Sequence, residues 1–165
     1  MSKWRLASIQ SVLLMVAVAL TFVESVVPAR AALGGDISSV QADQLHMRGS
    51  LRSTVTASYT VHEIQSAAGT VVREYVSSVG KSTGKVFGIA WQGPWPPDMS
   101  QLLGSYFEQC AQTVNAQGAV RMGRRPWVVA QPGLVVQIGG HPRAFTGKAY
   151  VPEMLPTGVS TEEIQ

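Results

Sequence analysis

The chain has 165 residues, 45% of them hydrophobic and 14% charged, with 13 cations against 10 anions for a formal charge of +3. That length makes one domain the natural count, and no internal repeat or low-complexity tract argues otherwise. A single cysteine, Cys110, excludes an internal disulfide, so the fold must stand on its core.

The first thirty-one residues read as an export signal. Lys3 and Arg5 precede an apolar run from Val12 to Val23, and Ala29-Arg30-Ala31 supplies the small-x-small pattern of a cleavage site. The run has twelve residues, whereas a membrane-spanning helix needs about 20 to cross roughly 30 Å of hydrocarbon. Cleavage before Ala32 is therefore expected rather than a retained anchor, and no cysteine stands there for lipid attachment. The expected division is 1–31 as cleaved signal peptide and 32–165 as a single domain, in the periplasm or outside the cell. Losing Lys3, Arg5, Arg30 and Glu24 leaves ten cations and nine anions, a charge of +1. The basicity that would point to nucleic acid thus belongs mostly to the leader. Arg121, Arg124 and Arg125 are the one cluster left and read as a solvated loop.

In the remaining chain Asp36 stands as an N-cap before a short helix over Ile37–Met47, whose stripe of Ile37, Val40, Gln44 and Met47 is thin enough to need a partner surface. From Thr54 the pattern turns to Val, Thr and Tyr with partial alternation. Thr54–Ile64 and Thr70–Val76 read as a hairpin, and Val86–Trp91 as a third strand after a lysine-bearing turn. Pro94, Pro96 and Pro97 end that meander and deliver Asp98-Met-Ser-Gln101, which matches a capping box. Met99, Leu102, Leu103, Tyr106, Phe107, Cys110 and Val114 follow at helical spacing, giving a main amphipathic helix over about 98–115. Cys110 falls on its apolar stripe and reads as a small buried residue. Strands are expected at Trp127–Gln131, Leu134–Ile138 and Arg143–Val151, with Gly139–Pro142 as a turn and Val159–Gln165 as a fraying tail. The fold class that follows is α+β: one antiparallel sheet of about five or six strands with both helices packed on it.

No catalytic template fits locally. Gly104-Ser105 lies inside a helical pattern rather than at a strand-to-helix turn, so it is no nucleophile elbow. His46, His62 and His141 lack metal-ligand spacing, and His62-Glu63 are strand neighbours that point to opposite faces. No phosphate-binding glycine loop occurs, so neither metal nor cofactor is expected. Two candidate sites emerge. An envelope hydrolase would have to be assembled from distant residues, with His62, His141 and a carboxylate as its participants. A binding module would use Trp91 and Trp95, two tryptophans amid prolines, as a rigid aromatic patch for an envelope protein, peptide or glycan; the plainer reading of the same residues is that Trp91 ends a core strand and Trp95 pins the crossover into the helix.

The phrases ALGGD, SSVQAD, SYTVHEIQ, GTVVREYV, VFGIAWQGPWPPDMSQLLGSYF, GLVVQIGGH and AYVPEMLPTGV resemble a proteobacterial family known as domain of unknown function 2844 (DUF2844). The resemblance runs from Ala32 to about Val159 and implies an exported protein, with no catalytic residues to carry over. The leading expectation is a non-enzymatic binding module of the cell envelope, and the alternative is the hydrolase.

Overall fold

The β-branched run after Gly49 folds into a meander of four antiparallel strands, β1 (Ser50–Val55), β2 (Tyr59–Gln65), β3 (Val71–Ser77) and β4 (Val86–Gly93). The computed structural model describes residues 33–116 and 127–165, with the side chains of 114–116 left aside. The expected leader and Arg121, Arg124 and Arg125 lie outside the described residues. A second meander comprises β5 (Trp127–Gln131), β6 (Leu134–His141) and β7 (Ala144–Tyr150). Because β7 pairs with β4, the two meanders fuse into one seven-stranded sheet of order β1-β2-β3-β4-β7-β6-β5.

The sheet has a strand beyond the expected five or six because Thr54–Ile64 is divided. Thr56 folds back on Tyr59, its amide donating to Tyr59 O at 2.8 Å and its hydroxyl to the same oxygen at 2.7 Å. A threonine hydroxyl that satisfies the backbone locally competes with the strand ladder, and the chain turns. The β6–β7 turn lies one step later than expected. Gly139 and Gly140 belong to β6, and the reversal is made by Pro142 and Arg143, the latter at φ 71°. Gly140 is needed in the ladder itself, where a Cβ would lie 2.1 Å from Ala144 O.

Helix α1 (Ile37–Met47) has the expected bounds, with Asp36 Oδ1 accepting from the Ser38 amide at 2.9 Å. The main helix is divided into α2 (Met99–Leu103) and α3 (Phe107–Ala116) by one 3-10 turn, Gly104–Tyr106. Gly104 is buried at φ 52°, a conformation that breaks the α-helical ladder and that other residues adopt only with strain.

The two helical segments cover one face of the sheet. Val40, Leu102, Leu103 and Cys110 pack there on Ile64, Val72, Ile89, Trp91, Val136 and Ala149, all buried. Trp91 fits because β7 offers Gly147 opposite it, where a Cβ would stand 2.3 Å from the indole. The opposite face is closed by the C-terminal segment. Ile164 is fully buried over Gly88 and joins Tyr75, Phe87 and Ala90, so the segment expected to fray is part of the core. Main-chain bonds hold it: Tyr75 Oη donates to Gln165 O at 3.0 Å and accepts from Gln165 N at 3.1 Å, and Lys148 Nζ donates to Thr161 O at 2.7 Å.

Candidate functional site

The crossover from β4 to α2 is fastened by its backbone rather than by its indole. Gly93 sits so close to β3 that a Cβ would lie 2.5 Å from Thr70 Cα, and Thr70 Oγ1 donates to Trp95 O at 2.8 Å. Pro94, Pro96 and Pro97 restrict the loop further. Trp95 is left 59% exposed on this rigid support, whereas Trp91 is 3% exposed in the core. Of the two candidate tryptophans, only Trp95 is exposed.

Trp95 flanks a cavity of about 220 Å³ between α1, the β2–β3 turn and the start of α2. Met47, Ala68, Pro96, Pro97 and Leu102 supply apolar wall; Asp43, His46, Asp98 and Gln101 supply the polar part. Asp98 caps α2, its Oδ1 accepting from Ser100 N at 2.9 Å, Ser100 Oγ at 2.6 Å and Gln101 N at 3.2 Å. The Ser100 hydroxyl, followed by the capping amides, holds its carboxyl below the usual range, so it is ionised. Its other oxygen, Oδ2, lies 3.9 Å from His46 Nε2. Half of the expected capping box is present. The Gln101 side chain reaches across to Asp43, donating from Nε2 to Oδ1 at 2.8 Å, instead of back to its own cap.

Asp43 and Glu74 are each 1% exposed and lie side by side beneath α1. Burial, reinforced by the neighbouring Asp43, pushes Glu74 up to about 9. Burial raises Asp43 as well, against the neighbouring Glu74 and the bond from Gln101. With its carboxyl at about 9, Glu74 keeps its proton at neutral pH. Asp43 Oδ2 and both Glu74 oxygens have no hydrogen-bond partner among the described residues.

This pair was missed in the sequence although its signal was there. Glu74 alternates with Val72 and Val76, which puts it on the buried face of β3. Asp43 stands three residues after Val40 and four before Met47, on the stripe that packs against the sheet.

His62 lies directly opposite Glu74 in the β2–β3 register and opposite Ser53 in the β1–β2 register. Ser53 Oγ is 2.8 Å from His62 Nδ1, and burial lowers the His62 pKa. The row Ser53, His62, Glu74 has the residue types of a nucleophile, a base and an acid. Glu74 keeps its proton, however, and so lends His62 no charge to make it a stronger base. Glu63 faces the other side of β2 and pairs with Arg73 at 2.8 Å. His141 is exposed at the end of β6. Four strand spacings separate β2 from β6, about 19 Å at the usual 4.8 Å each, so the fold does not bring His62 and His141 together.

Cys110 is buried, and burial pushes its thiol up. Among the described residues no three His, Cys, Asp or Glu side chains are grouped to hold a metal ion, and no helix is long and apolar enough to cross a membrane. No curated protein and no solved structure matches the chain. The model of one family, described as Protein of unknown function (DUF2844), matches residues 29–164, and the chain belongs to that family.

Proposed function

We propose that this chain is an exported, non-enzymatic binding domain that holds a protein, peptide or glycan of the bacterial envelope at Trp95 and the cavity beside it. The observation that carries the reading is an indole left 59% exposed on a loop fastened through its main chain. Leaving a large aromatic in water forgoes a favourable burial, whereas a rigid, preorganised aromatic binds at little entropic cost. Export is supported by Lys3 and Arg5, the short apolar run and Ala29-Arg30-Ala31, and by a family match that begins at residue 29, beside the expected cleavage point. Binding is favoured over hydrolysis because the one serine–histidine row is backed by a protonated acid and His141 stands apart from it.

The test is capture from envelope extract by the wild-type protein and by Trp95→Ala, alongside a screen of ester, amide and glycoside substrates. A component retained by the wild type and lost with Trp95→Ala, without turnover, is the expected result. Turnover together with capture indifferent to Trp95 overturns the reading.

A further inference from the structure

We propose that the cavity beside Trp95 seats one lysine or arginine side chain of a partner polypeptide, its charged head between Asp43 and Asp98 and its aliphatic stem along the indole. The inference rests on the reading of Trp95 as a binding residue and narrows the ligand to a cation.

Size selects the scale of the occupant. At about 220 Å³ the cavity is smaller than the roughly 300–1,000 Å³ of sites that enclose whole small molecules, and it suits a single side chain entering from a larger partner. Charge selects its sign. Asp98 keeps Oδ2 free of any amide or hydroxyl donor, with only His46 at 3.9 Å. Asp43, 1% exposed, adds a carboxyl whose Oδ1 accepts from Gln101 and whose Oδ2 has no hydrogen-bond partner among the described residues, with His46 nearby in the same lining. A buried carboxyl oxygen without a partner is costly, and a cationic donor delivered by a ligand would offset that cost.

The fixed donors around the cavity are few. Pro96 and Pro97 have no N–H, the Gln101 amide is committed to Asp43, and the Thr70 hydroxyl is committed to Trp95 O. His46, Ser66 and the Trp95 indole remain as donors in the lining, while the free carboxyl oxygens of Asp43 and Asp98 match a ligand head that only donates, as ammonium and guanidinium do. The lining includes neither lysine nor arginine to compete for these carboxylates. Trp95 completes the match, because an exposed indole face attracts a cation and packs against the methylenes behind it. A divalent metal fits less well, since two carboxylates fall short of the six to eight oxygens that calcium takes.

The experiment titrates the protein with tetralysine and tetraarginine peptides and with a tetrapeptide of Nε-acetyl-lysine, following the NMR signal of the Trp95 indole N–H. The basic peptides should shift that signal saturably and the acetylated peptide should not. Asp98→Asn keeps a helix-capping side chain and Asp43→Asn keeps an acceptor for Gln101, so each removes a carboxyl while sparing the fold. Each should weaken tetralysine binding about fivefold or more. Equal binding of the acetylated peptide, or unchanged tetralysine affinity in Asp98→Asn with native circular dichroism, overturns the assignment. If capture of the envelope component still depends on Trp95 in that event, only the cationic ligand is wrong. If capture is also indifferent to Trp95, the binding reading falls with it.

Discussion

Glu74 shows what a single buried residue does to the whole chain's response to pH. Its carboxyl is raised from 4.5 to about 9 in the folded protein, so folding takes up a proton between those values. The contribution of this group is complete below pH 4.5 and is lost progressively up to pH 9. Glu74→Gln retains a donor toward Asp43 but cannot ionise. The variant should therefore exceed the wild type in unfolding free energy by a few kcal/mol at pH 8, with the difference shrinking toward pH 4; denaturant unfolding at the two pH values measures this. A gap that stays constant with pH would show that Glu74 is ionised in the folded protein. The residue was within reach of the sequence through its alternation with Val72 and Val76. What hid it is that an acid on an apolar face makes sense only once its partner is known, and Asp43 comes from a helix thirty-one positions earlier.

At the scale of elements, local signals set α1, the cap at Asp98 and strands β3 and β4, all of which depend on short-range spacing, whereas β1 and β2 read as one run until Thr56 turns the chain. The C-terminal segment is different. Nothing local in Val159–Gln165 demands order, because its stability comes from Gly88, Tyr75 and Phe87, some ninety residues away by the Tyr75–Gln165 bonds. Ile164→Ala should cost about 2–5 kcal/mol of unfolding free energy, read from the denaturation midpoint, whereas a frayed tail would give no change. The break in the main helix was equally hard to see. Gly104 interrupts α2 and α3 without interrupting the apolar spacing, because the 3-10 turn returns Tyr106 and Phe107 to the sheet side.

The whole molecule explains why Trp95 ends beside acids contributed by other segments. The crossover must carry the chain from β4 to the helices that cover one face, and its path runs past α1 and the β2–β3 turn. The tryptophan and the proline-rich loop were visible in the sequence; Asp43, Asp98 and His46 as their neighbours were not, since only the packing of α1 against α2 assembles them. Export belongs to this scale too. When the full chain is expressed in a bacterial host, the protein recovered from the periplasm or medium should begin at Ala32 by terminal sequencing, and an intact Met1 terminus in the cytoplasm would contradict it.

As proposed, Trp95 is an open contact which a partner covers. Acrylamide quenching of tryptophan emission, compared between the wild type and Trp95→Phe, isolates that indole from the buried Trp91. A strongly quenched component is expected in the free wild type, absent from Trp95→Phe, that becomes protected when the captured envelope component is bound. Identical quenching in the two proteins, or quenching unchanged by the bound component, would contradict it.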